Sequence, residues 1–154
     1  MRRLRIMLAA AVVIVMGLSL AIQSVTAAED SRELVKLPPM MQQHMLANMR
    51  DHLVALDEIL GELAAGRTDK AAEIAEKRLG MSSLSLHGAA HLGKFMPETM
   101  GKIGTQMHRA ASRFVITAQD AELDPSKDSQ RKVYRALQQV TENCNACHQA
   151  YRIR

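Results

Sequence analysis

The chain has 154 residues, 47% of them hydrophobic but only 3% aromatic and none tryptophan, with a formal net charge of +4. Setting residues 1–28 aside removes Arg2, Arg3 and Arg5 and no acidic residue, and three taken from +4 leaves +1. No basic tract then remains for a nucleic-acid partner, and core volume must come from Leu, Met, Ala and any large apolar cofactor.

Residues 1–28 have the parts of a signal peptide. Met1-Arg2-Arg3-Leu4-Arg5 is a basic start, Ile6 to Ile22 an apolar run, and Val25-Thr26-Ala27-Ala28 a small-residue site where a peptidase can cut. The run is long for a signal and short for a spanning helix. The expectation is a cleaved signal over 1–28, one domain over 29–154 and export to the periplasm, with an uncleaved anchor as the alternative.

Residues 29–38 read as a polar lead-in closed by Leu37-Pro38. Pro39 suits the first turn of a helix, where its fixed φ is an advantage and its missing N–H costs nothing. Apolar residues then recur at helical spacing to about Ala65, before Gly66 stops the helix. Met41, Met45, His52, Leu56 and Leu63 make one stripe, with Leu46, Met49, Leu53 and Leu60 beside it. Thr68 or Asp69 is placed to cap a shorter second helix running to Leu79, with Ala71, Ile74, Ala75 and Leu79 inward.

The stretch from Met81 to Met96 mixes Ser82, Ser83, Ser85, Gly88 and Gly93 with Leu84, Leu86, Leu92 and Phe95. A structureless connection of that length is disfavoured, so the expectation is one or two short helical turns or an extension of the second helix. Pro97-Glu98 opens a third helix to about Gln119, with Met100, Ile103, Met107, Ala110, Ala111 and Phe114 inward. Asp124-Pro125 is read as the cap and start of a fourth, with Lys127 and Asp128 in its first turn. Along it Val133, Leu137, Val140, Cys144, Cys147 and Tyr151 step alternately by four and three, a heptad seam. With no strand pattern, the fold class is all-α and the architecture an antiparallel four-helix bundle.

Cys144-Asn145-Ala146-Cys147-His148 is the C-x-x-C-H signature of covalent haem attachment. Thiols at i and i+3 share a helical face and can reach two vinyl groups along one porphyrin edge, while the next imidazole offers a nitrogen to the iron. A thioredoxin-type motif would follow a strand, and a zinc site would need a second ligand pair. A disulfide at this spacing on a helix has poor geometry. The cofactor read from the motif is one covalent haem c, and its attachment outside the cytoplasm agrees with export.

A C-x-x-C-H motif at the end of the last helix of such a bundle, behind a signal peptide, resembles the cytochrome c′ and cytochrome c-556 family. The tail from Cys144 to Arg152 is similar to that family's closing pattern through its tyrosine and arginine. The resemblance implies thioethers at Cys144 and Cys147 and His148 as proximal iron ligand. Arg152, four residues beyond His148, reads either as a charge beside the haem or as a solvated arginine at the helix end.

The sixth iron position decides the function. One branch of the family has a methionine there, and matching Asn48-Met49-Arg50-Asp51-His52-Leu53 to its first helix puts Met45 at the ligand position. The c′ branch leaves the iron five-coordinate, and its register puts Leu46 over the iron. A methionine at helical spacing is otherwise core packing. The favoured expectation is therefore electron transfer by a His/Met-ligated haem with a redox partner protein. The alternative is a five-coordinate haem that binds NO or CO.

An enzyme such as a peroxidase would need a distal acid/base pair. His44 or His52 with Arg50 has the residue types without a supporting spacing, and the chain is read as not an enzyme. A homodimer through the first helices is left open. His87 and His91 make half a metal site by spacing; with His108 they are read as partly exposed histidines at the haem edge or in a loop. The Met40–Met49 tract has donors suited to Cu(I), but a bundle needs those positions for its core.

Overall fold

The structure is a computed structural model and describes residues 29–154. The signal-peptide reading of residues 1–28 lies outside the described residues. Two helices of 26 residues start behind a proline: α1 (Pro39–Ala64) after Pro38, and, further along, the helix Glu98–Leu123 after Pro97. The proline ahead of each holds φ near −54° with an extended ψ, a geometry that opens into a helix. α1 ends where Ala65 donates to the carbonyl of Gly61 and Gly66 turns the chain at φ +72°, a conformation glycine takes without strain.

α2 (Thr68–Arg78) follows at once. The residue ahead of it is Arg67, and no side chain caps its start, so neither Thr68 nor Asp69 acts as the expected cap. Asp69 instead favours the N-terminal end of the helix dipole, with Lys77 and Arg78 at the other end. Arg78 reaches across to Asp51 and Glu58, tying α2 to α1.

The segment from Met81 to Met96 is built of short turns, as one of the two expectations had it, and α2 is not extended. A 3-10 turn (Met81–Ser85), α3 (Ala89–Leu92) and a second 3-10 turn (Gly93–Phe95) follow one another. Gly80 makes this possible: a Cβ there would clash with Glu76, whose carboxylate swings back to receive the hydroxyl of Ser112 and the N–H of Ser82. The serines thus satisfy backbone ends locally, while Leu84 is half-buried and Leu86 stays 73% exposed.

α4 (Glu98–Leu123) and α5 (Lys127–Ala150) are joined by Asp124, Pro125 and Ser126. Ser126, not Asp124, caps α5: its Oγ accepts from the N–H of Ser129, whose own Oγ accepts from the N–H of Ser126. A capping box with serine in the place of the usual glutamate starts the helix two residues later than expected. The lead-in also differs from the sequence reading. β1 (Glu33–Leu34) pairs in parallel with β2 (Tyr151–Arg152), and Val35, 4% exposed, is core.

α5 lies along α4, α2 packs on both α1 and α4, and the backbones of α1 and α5 come close at few points. The larger core cluster, around Ile59, Ala75, Phe114 and Leu137, is the inner faces of α1, α2, α4 and α5. A second cluster at the other end joins Val35, Met45, Leu92 and Met100, with Met49, Cys147 and Tyr151 against it. Of the expected stripe on α1, Met45 is buried and Leu56 and Leu63 pack on the core, whereas Leu53, among the residues read as lying beside it, is 68% exposed. Its face of α1 borders an opening towards α5. Among the described residues no helix is long and apolar enough to cross a membrane.

Candidate functional site

The heptad seam of α5 is buried at Val133, Leu137 and Val140, then becomes half-buried at Cys144 and Cys147. The two thiols straddle the clusters: Cys144 packs against the larger core and Cys147 against the second. Between α1, α4 and α5 lies a cavity of about 390 Å³ with both thiols and His148 on its wall. Opposite them α1 contributes Met49, His52, Leu53 and Leu56, and α4 contributes Ile103, Gly104 and Met107. A Cβ at Gly104 would meet nothing within 4 Å, so the bare backbone there leaves room against the cavity.

A smaller cavity of about 290 Å³ adjoins the same helix end and is lined by Met45, Met49, Met100, Cys147, His148 and Arg152. Met49 therefore faces both cavities, whereas Met45, 7% exposed, faces only the smaller.

Burial pushes both thiol pKa values up, and the neighbouring Cys144 adds to the effect at Cys147. Both cysteines are unpaired and remain thiols at neutral pH. Dithiol exchange and thiolate–metal ligation need the opposite shift. His148, in the last turn of α5, is exposed. This is a constellation of two neutral, half-buried thiols and one accessible imidazole around an apolar space.

The end of α5 is held by the lead-in. Val35 N–H donates to the carbonyl of Arg152 at 2.8 Å, Arg32 donates to the carbonyl of His148 at 3.3 Å, and the Gln42 amide of α1 donates to the carbonyl of Ile153. Strand pairing over two residues carries no periodicity, so nothing in the sequence pattern marks it; only the apolar Leu34-Val35 pair inside a polar stretch hints at burial.

A second constellation also escaped the sequence reading. His87 and His108 are 8% and 7% exposed, which corrects the reading of them as partly exposed edge or loop histidines. With His52 they form a cluster whose ring centroids lie 4.6 Å (His52–His87), 5.5 Å (His87–His108) and 5.8 Å (His52–His108) apart. His52 Nε2 lies 3.4 Å from His87 Nδ1. The hydroxyl of Ser83, fully buried, is 3.5 Å from His87 Nδ1 and 3.4 Å from His108 Nδ1.

His108 Nδ1–H donates to the carbonyl of Leu79 at 2.8 Å, and the His87 carbonyl receives His44 Nε2 and Asn48 Nδ2 from α1. His44 also approaches Gly88, whose φ of +62° lets the segment turn beneath the ring. His91, four residues after His87, is exposed, so the spacing does not make a pair. Among the described residues no group of three or more His, Cys, Asp or Glu side chains is arranged to hold a metal ion. His108 stood three residues before Ala111, in phase with the inner face of α4; that was the available signal.

Comparison with protein-family models, with curated proteins and with solved structures gives no match to this chain. The functional reading therefore stands on the residues themselves.

Proposed function

We propose that the chain is a c-type cytochrome of the cytochrome c′ kind, with α1, α2, α4 and α5 as a four-helix bundle around one covalent haem c, carrying electrons to or from a redox partner protein in the periplasm. The observation that carries this reading is the cavity between α1, α4 and α5, with Cys144, Cys147 and His148 on one wall and apolar side chains on most of the rest. The donor set fits the group. Two neutral thiols one helical turn apart can add across two vinyl groups, and an adjacent imidazole is a nitrogen ligand. The largely apolar lining suits a flat macrocycle.

When bound, haem supplies one-electron Fe(III)/Fe(II) chemistry. Cys144 and Cys147 would tether it through thioethers, and His148 would give a nitrogen to the iron. The strap from Arg32 to Val35 holds the carbonyl end of the ligand-bearing turn, which keeps that imidazole in place. Arg152, on the wall of the smaller cavity with His148, places a positive charge on the same side. Met45, which lies in one apolar cluster with Cys147, would offer its thioether to the iron, and a neutral soft ligand favours the ferrous state.

A specific observation favours a second reading. Met45 faces only the smaller cavity, while the larger one meets α1 through Leu53, Leu56 and other side chains. An iron open on that apolar side would take uncharged NO or CO. Optical spectra of the ferric and ferrous protein separate the two: low-spin ferrous iron slow to bind CO supports electron transfer, and high-spin iron that binds CO at once supports gas binding. Pigment extracted by acid and organic solvent overturns both.

A further inference from the structure

The buried histidines lie where they can act on the site. His52 is common to the cluster and to the wall of the larger cavity. At the other end His108 lines a separate cavity of about 510 Å³, open to solvent, whose charged groups are Glu98, Lys102 and Arg109. Between them stand Ser83 Oγ and His87 Nδ1, and each successive polar pair is 3.4–3.5 Å apart. These are long hydrogen bonds, within the range that a small ring or hydroxyl rotation closes. At rest the Ser83 hydroxyl donates to the Gly80 carbonyl at 2.7 Å and His108 Nδ1–H to that of Leu79. A proton passes when that hydroxyl or ring turns from its carbonyl to the next group, a hydroxyl being able to give or accept and a neutral imidazole having one N–H and one bare nitrogen. A continuous line of such groups thus runs from an open surface cavity to the apolar one.

We propose that His52, His87 and His108, joined through Ser83, form a redox-linked proton site: the cluster takes a proton from solvent through His108 when an electron enters the haem site, and releases it when the electron leaves. The proposal rests on the haem-protein reading above. A reduced partner protein gives one electron to Fe(III), and one imidazole nitrogen of the cluster binds one proton from bulk water; reoxidation returns both. An added electron in a poorly solvated space attracts a compensating proton to the nearest group able to hold it.

The cluster is poised for this by being neutral beforehand. Burial, then His87 and His108, push His52 down to about 4; burial also lowers His87 and His108, the latter against the opposing pull of the Leu79 carbonyl. The Asp51 carboxylate pulls His52 and His87 the other way, but less than burial lowers them. Asp51 on α1 is committed to Arg78 on α2, and Glu76 on α2 to Ser112 and Ser82. His44 donates to the His87 carbonyl, and Cys144, Cys147 and His148 of α5 face His52 across the cavity.

The test is the midpoint potential of the holoprotein against pH, by spectroelectrochemistry, for wild type, His87→Gln and His108→Gln. Neither substituted residue borders the haem cavity. Wild type should lose about 59 mV for each tenfold fall in proton concentration over a window opening above pH 4, and both variants should flatten that slope without altering the visible spectrum. A slope unchanged in both variants assigns the proton elsewhere, such as haem propionates, and overturns the proposal, as does a flat wild-type profile.

A second measurement needs no variant. In wild type carrying ¹⁵N-labelled histidine, the three clustered rings should titrate at higher pH in the reduced than in the oxidised protein. Identical titration in the two states overturns the proposal. A protein with no covalent pigment overturns the haem reading itself, whereas a pigmented protein that fails these measurements overturns the proton site alone.

Discussion

At the scale of single residues, the site depends on side chains whose neighbours set their chemistry. In the proposed haem protein Met45→Ala should turn the iron high-spin and let CO bind at once, read from ferric and ferrous spectra, while Met41→Ala, at a half-buried methionine, should only cost stability, about 2 kcal/mol, the low end for a buried methionine truncation. Met49 faces both cavities, so Met49→Ala is the informative control: a spectrum that changes there but not in Met45→Ala transfers the ligand role. His52 carries a pH dependence. Its folded-state pKa of about 4 lies below the ordinary 6.5, so the unfolded chain binds the extra proton. Stability from this ring is present in full above pH 6.5 and is lost as pH falls from 6.5 to about 4. The shift corresponds to about 3 kcal/mol. Urea unfolding at pH 7 and pH 4 should show this loss in wild type and a smaller one in His52→Gln.

At the scale of elements, the ends of helices matter more than their middles. α5 has to present Cys144, Cys147 and His148 in one register, and both of its ends are held by specific contacts. Ser126→Ala removes the side-chain acceptor for the N–H of Ser129 and should cost about 0.5–2 kcal/mol in denaturant unfolding, with the visible spectrum unchanged because the cap lies more than four helical turns from the motif. The sequence correctly placed the start of α1 at Pro39 and the sharp break at Gly66. It misplaced the start of α5 because Asp124-Pro125 resembles a cap more than Ser126 does, and local hydrogen bonds decide between them. The short turns at 81–96 were expected from composition, but their purpose was not: Ser83 sits at the centre of the histidine cluster, a position no local pattern reveals.

At the scale of the whole molecule, the described chain is a single helical unit from Arg32 to Arg154 with an apolar space in it. The mature protein should begin near Glu29 and appear in the soluble periplasmic fraction with its pigment; N-terminal sequencing that finds Met1 or Arg2 in membranes would establish the anchor instead. The strap of β1 on β2 begins only four residues beyond that expected cut. Export and cleavage would therefore leave enough lead-in to secure the end of α5.

What the sequence determined by itself was the helical class, the boundaries marked by proline and glycine, and the motif at Cys144, Cys147 and His148. All of these are local: backbone restriction, 3.6-residue periodicity and a five-residue spacing are written in neighbouring positions. The tertiary structure alone decided that Leu34-Val35 clamps the far end of the chain, that Met45 and Met49 face different spaces, and that His52, His87 and His108 meet around Ser83. Apart from Ser83 with His87, those contacts join residues 21 to more than 100 positions apart, and the burial that lowers the histidine pKa values exists only once separate helices have closed over them.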